Sequence, residues 1–253
     1  MDNAAEERSL EIFSVPELIH KIAEPACEVS CYLNGGTFCL IDMDLSPIDF
    51  LCQAEEDFAR GGLSASINCI TNSKRAIIGQ VDQVLLSFGY LCQRWDTERK
   101  LNKLKELGLL APTVLRKLVD ARNLLEHEYK CPSAEQVEDY LDIAAIFVLG
   151  VASQFHPFSD ELTVDFSRED KIVGALDFAI GRNGPEGEVV YSAYGYAYNY
   201  ENKKTLIGEA FVGNKSKLFS ALVNACACLE LKYKDEEAVG KLKQKIKAAL
   251  VEC

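Results

Sequence analysis

Residues 118–129 read LVDARNLLEHEY. Leu115, Leu118, Val119, Leu125 and Tyr129 recur at the spacing of one helix face, and Arg122 falls on that same stripe. A guanidinium on the buried side of a helix is costly unless something pairs with it or uses it. His127 and Tyr129 follow closely, and Pro132 ends the helix because it cannot donate a backbone hydrogen bond and restricts the residue before it. Pro112 suits the first turn of this expected helix.

Working outward, helices are expected on both sides. Ser46 and Pro47 announce one that stops at Gly61 and Gly62. A longer one over 64–88 carries Ile67, Ile70, Ala76, Ile77, Val81, Val84, Leu85 and Phe88, and a shorter one over 97–107 stops at Gly108. After Pro132, Ser133 and Gln136 form a capping-box pattern for a helix to about 153, striped by Val137, Tyr140, Leu141, Ala144, Ala145 and Val148. Long amphipathic helices on short connections pack as antiparallel neighbours. The expected fold class is therefore α+β, with a central all-α up-and-down bundle over 46–155. An N-terminal segment, 1–45, is expected to hold a short helix at 15–23 and a β-hairpin at 27–42 turning on Asn34 and Gly35. In the C-terminal part, 156–253, the period changes to two: strands are expected at 162–166, 172–180, 188–200 and 205–212, then helices at 216–231 and 236–251. The hairpin could join that antiparallel sheet and make the bundle an insertion, although no pattern in the sequence forces this.

The chain has 253 residues, is 48% hydrophobic and carries a net charge of -12. No stretch approaches the roughly 20 apolar residues of a membrane span, and the acidic opening MDNAAEERSLE is unlike a signal peptide, so a cytoplasmic protein with no membrane partner is expected. Ten cysteines without a CxxC pair, and only three histidines, point to reduced, mostly buried thiols and to no metal site. The acidic balance argues against attraction of nucleic acid by the whole surface. Residues 94–122 are the local exception: Arg94, Arg99, Lys100, Lys103, Lys105, Arg116, Lys117 and Arg122 stand against Asp96, Glu98, Glu106 and Asp120.

The run ARNLLEHEYKCPSAEQVEDYLDIAAIFV, residues 121–148, resembles the HEPN superfamily. Arg122, Asn123 and His127 match its arginine, polar residue and histidine, and Tyr129 extends the match to the form seen in HEPN toxins of toxin–antitoxin pairs. The resemblance covers roughly 46–153. It implies a metal-independent endoribonuclease, with no cofactor, whose active site forms across a homodimer. In that chemistry RNA supplies its own nucleophile, the 2′-hydroxyl, and the protein moves protons and stabilises phosphate charge. His127 would be the acid or base. Arg122 would clamp the phosphate, Asn123 would bond the imidazole or substrate, and Arg116 and Lys117 would add to substrate binding. Arg122 and His127 lie about 140° apart around an ideal helix, which favours completion of the site by a second subunit. In the toxin branch a partner antitoxin nucleotidyltransferase modifies the matching tyrosine, here Tyr129, with AMP.

Other readings stand beside these. Arg122 could be a structural arginine paired with an interior acid such as Asp82 or Asp142, His127 a helix-end residue near the last carbonyls, and Tyr129 a packing residue. Glu126 and Glu128 would repel phosphate, which favours the alternative of a non-catalytic HEPN-like module that binds nucleotide, RNA or a protein. Tyr194, Tyr196, Tyr198 and Tyr200 share one face of a strand, where packing is the stronger explanation and base stacking the weaker. Asp165, Glu169, Asp170 and Asp177 read as a solvated acidic face, and His20 and His156 as structural.

Overall fold

A computed structural model describes residues 10–24, 27–36, 38–109, 133–155, 158–184, 187–201, 203–232 and 235–252. The chain divides into two compact units, one of Met1–Gly36 with Ser159–Cys253, the other Thr37–Phe158.

The first unit is built on a five-stranded antiparallel sheet in the order β1 (Glu28–Gly35), β2 (Glu161–Arg168), β3 (Lys171–Gly181), β4 (Val190–Tyr198), β5 (Lys204–Gly213). This overturns the expected fold class of a central all-α bundle flanked by a minor hairpin: the strands are spread along the chain, and β1 pairs with β2, more than a hundred residues away. Among the described residues there is no hairpin, because residues 38–46 form no strand. Val29, Cys31 and Leu33 on one side of β1 lie opposite Phe166, Val164 and Leu162, so β1 extends the apolar face of the sheet. Asn34 and Gly35, read as a hairpin turn, instead finish β1. The Asn34 amide donates to Thr163 Oγ1 at 2.6 Å, and the positive φ of Gly35 and Gly36 leads the chain out of the sheet.

One sheet face is covered by α1 (Val15–Ile22), α6 (Lys217–Lys232) and α7 (Glu236–Val251). Helix α1 begins at a capping box of Ser14 and Glu17 and buries Val15, Leu18 and Ile22. It lies so close to the sheet that a Cβ at Gly195 would meet Leu18 Cδ1 at 2.5 Å. Tyr191 fills the core, edge-on to Phe178 and to Phe219 of α6.

The second unit contains, among the described residues, α2 (Pro47–Arg60), α3 (Leu63–Ser87), α4 (Thr97–Glu106) and α5 (Ala134–Phe155). Gly61 and Gly62, both at positive φ, fold α3 back on α2, and α3 packs also against α4 and α5. Helix α5 starts at the expected box, Ser133 N bonding Gln136 Oε1 at 2.9 Å and Gln136 N bonding Ser133 Oγ at 3.2 Å. Phe38, Phe88, Phe155 and Phe158 form an aromatic cluster, Phe38 stacked on Phe88 at 4.7 Å. The buried face of α3 departs from the expected stripe in its first half: Ile67 is exposed, while Cys69, Asn72 and Ser73 are buried. Among the described residues no helix is long and apolar enough to cross a membrane.

Candidate functional site

Helix α2 is fixed at its start by Ser46, whose Oγ accepts from Asp49 N while Asp49 Oδ2 receives Ser46 N at 2.8 Å and Ser46 Oγ at 2.7 Å. Those bonds hold the Asp49 carboxyl below its usual pKa. Its inward stripe runs Pro47, Leu51, Ala54 and then Asp57, an acid where the pattern calls for an apolar side chain. Asp57 is 2% exposed, and both its oxygens are used: Oδ1 receives Arg60 Nη1 at 2.8 Å and Oδ2 receives Asn72 Nδ2 at 3.0 Å. With its nitrogen committed to Asp57, Asn72 turns Oδ1 toward Arg75, whose Nη1 donates at 3.4 Å. The Arg75 guanidinium also lies 5.9 Å from the centre of the Phe50 ring. This Arg60–Asp57–Asn72–Arg75 relay lines a cleft of about 600 Å3 between α2 and α3, shared with Phe50, Gln53 and Asn68. The sequence carries its signal, a charge on an apolar stripe, in the same form as at Arg122, but Asp57 was not singled out there.

Arg116, Lys117, Arg122, Asn123, His127 and Tyr129 lie outside the described residues, as do Glu126, Glu128 and His156. Of the two acids considered for Arg122, Asp142 is exposed, and Asp82 holds Lys100 at 2.7 Å. Lys100 is 6% exposed and so belongs to the interior rather than to a basic surface. Cys92 Sγ approaches the same carboxylate at 3.5 Å, and burial, then the Asp82 charge, push its thiol up to about 11. Elsewhere in the basic segment Lys103 pairs with Glu106 and Arg99 stacks 4.1 Å from the centre of the Trp95 ring.

On the sheet face away from the helices, Tyr194, Tyr196 and Tyr198 are aligned as expected, while Tyr200 falls in the turn beyond β4 and is fully exposed. Lys204 reaches across from β5 to sit 3.7 Å from the Tyr196 ring centre and 2.8 Å from Asp177 Oδ2. A base could stack on this face of Tyr196 only by displacing that lysine. Asp177 Oδ1 receives Thr163 Oγ1 at 2.6 Å, and Thr163 in turn accepts from Asn34. Asp165 corrects the reading of a solvated acidic face: it is 5% exposed, and its Oδ1 is buried with no hydrogen-bond partner. Burial, then the charge of Asp177, raise its carboxyl pKa, outweighing Lys204 and Tyr32. Glu169 and Asp170 make the tight β2–β3 turn at positive φ. Among the described residues no three His, Cys, Asp or Glu side chains converge as metal ligands.

No family model matches this chain, and neither the curated proteins nor the solved structures contain a match to it.

Proposed function

We propose that this protein acts on RNA as a HEPN-type, metal-independent endoribonuclease, cleaving by attack of the 2′-hydroxyl at Arg122 and His127. The observation that carries this reading is the sequence set Arg122, Asn123, His127 and Tyr129, in a run whose spacing predicts a helix before Pro132, with a capped helix following from Ser133. The arginine supplies a fixed fork of donors to the phosphate, and the histidine a group that gains and loses a proton near neutrality. A homodimer brings the two groups into one cleft, and AMP transfer to Tyr129 by an antitoxin nucleotidyltransferase would block it. Incubation of the purified protein with mixed RNA in EDTA tests the reading. Cleavage is expected, falling about a hundredfold or more in His127→Ala, and sedimentation should give a dimer at micromolar concentration. Absence of cleavage at concentrations where the protein is dimeric would sink the enzymatic reading.

A second reading, a HEPN-like module that binds nucleotide, RNA or a protein without cutting, is favoured by Glu126 and Glu128 beside the histidine and by the net charge of -12. It predicts RNA retention in a gel-shift assay with intact RNA recovered afterwards.

A further inference from the structure

The α2–α3 cleft has a construction that helix packing alone does not require. Burying Asp57 on the apolar stripe of α2 withdraws a charge from water, and a leucine there would serve packing better. What the acid achieves is orientation. It receives Arg60, the last residue of α2, and Asn72 on α3, and Asn72 passes the constraint to Arg75 one turn further along. Two guanidiniums, one from each helix, are thereby aimed around a single cleft of about 600 Å3.

Their remaining chemistry is open. A guanidinium has five N–H donors, and Arg60 and Arg75 each give one to the relay. Arg60 keeps its side chain 61% exposed, and Arg75 is exposed as well. Asp49 and Asp57 bring the formal charge of the described lining residues to zero, so what the pair offers a ligand is its unengaged N–H groups and not an excess of positive charge. Asp49 is held by the Ser46 cap, and Asp57 lies beneath the surface with both oxygens filled. The other lining groups include the carboxamides of Gln53 and Asn68 and the ring of Phe50. Paired planar donors match the oxygens of a phosphate, carboxamides offer both donor and acceptor to a base edge, and a ring offers a stacking surface.

We infer that the α2–α3 cleft binds the phosphate ester of a nucleotide, held between Arg60 and Arg75. Among the described residues that line the cleft there is no histidine, and binding alone is inferred for it. The inference rests on the RNA reading for the choice of a nucleotide over other phosphate esters, but it requires neither Arg122 nor His127.

Titration calorimetry of the full chain with AMP, adenosine, inorganic phosphate and a 2′-O-methyl RNA hexamer tests it, since the hexamer has no free 2′-hydroxyl to attack. AMP or the hexamer should bind, and adenosine about tenfold or more weaker than AMP. Tight AMP binding identifies a free nucleotide as the ligand, and binding of the hexamer alone identifies a strand. Arg75→Ala is the informative variant because its one bond in the relay is long and its side chain is exposed; it should weaken binding about tenfold, with partial recovery in Arg75→Lys. Lys241→Ala, which removes a charge from the other unit, should change nothing. The inference falls if no phosphate-bearing compound binds better than adenosine, or if Arg75→Ala binds as well as wild type. Cleavage in EDTA lost in His127→Ala would leave the ribonuclease reading standing in that event, and the reverse pattern would leave only the cleft.

Discussion

Each unit buries an aspartate, and the two are treated in opposite ways. Asp57 in the helical unit has both oxygens engaged, by a guanidinium and by a buried amide. Asp165 in the sheet unit has one oxygen sealed from water with no donor, and a second carboxylate, Asp177, near enough to raise its pKa. Burial is similar in the two cases, 2% and 5% exposure. What differs is the supply of donors, and that decides whether a buried acid organises its surroundings or strains them. Asp57 sets the positions of two arginines; Asp165 is better off with a proton.

The sharpest way to break this comparison is to remove Asp57. In Asp57→Ala the Asn72 amide, itself 8% exposed, loses its acceptor and Arg60 loses its anchor, while the desolvation of the acid is relieved. The net loss should be about 2–3 kcal/mol. Asp57→Asn, which keeps one acceptor oxygen but turns a donor toward a donor, should cost less. Trp95 is the single tryptophan and lies in the helical unit, so its fluorescence during urea unfolding reads that unit alone. If Asp57→Ala were as stable as wild type, Asp57 would be a tolerated acid rather than an organising one.

Asp165→Asn should do the reverse and stabilise. The fold raises this carboxyl's pKa, so the folded state holds the proton more tightly than the unfolded chain does. The resulting stabilisation is full below the ordinary carboxylate pKa of about 3.9 and is lost as pH rises through the raised value. At neutral pH the wild type must keep a charge in a dry site or pay to hold a proton, and asparagine avoids both. A gain of about 1 kcal/mol at pH 7, fading toward pH 4, is expected, and slower hydrogen exchange of the β2 and β3 amides would register it. A gain that stayed constant with pH would mean that the acid's ionisation is not the cause.

These two acids also mark how far the sequence could be read. Elements were legible wherever local chemistry decides: the Ser46–Pro47 start and Gly61–Gly62 stop of α2, the capping box of α5, and the period-two runs of β2 to β5 all lie close to where they were expected. The assembly was not. Asn34–Gly35 has the local signature of a hairpin turn, but β1 finds its partner in β2, and nothing within 27–42 encodes that distant match except the alternation of Val29, Cys31 and Leu33. At the sites, an acid on the stripe of α2 was visible in the same way as Arg122. The burial of Asp165 was not, since alternation places it on the face away from the helices and says nothing of how neighbouring side chains close over it.

The smallest effect separates the two acids most finely. Lys204 supplies Asp177 with a counter-charge from a half-exposed position, its side chain 41% exposed, so Lys204→Met should cost only about 0.5 kcal/mol. Burial disfavours the lysine charge, yet the Asp177 hydrogen bond and charge raise its pKa on balance, so this contribution persists across neutral pH and is lost only in strong alkali. The informative quantity is the coupling to Asp165. With Lys204 gone, Asp177 is less compensated and repels an ionised Asp165 more strongly, so Lys204→Met should cost more in wild type than in the Asp165→Asn background, by a few tenths of a kcal/mol at pH 7. The coupling should weaken toward pH 4, as falling pH protonates Asp165. Additive effects at both pH values would separate the two carboxylates and leave desolvation alone to explain why Asp165, unlike Asp57, is a liability to its unit.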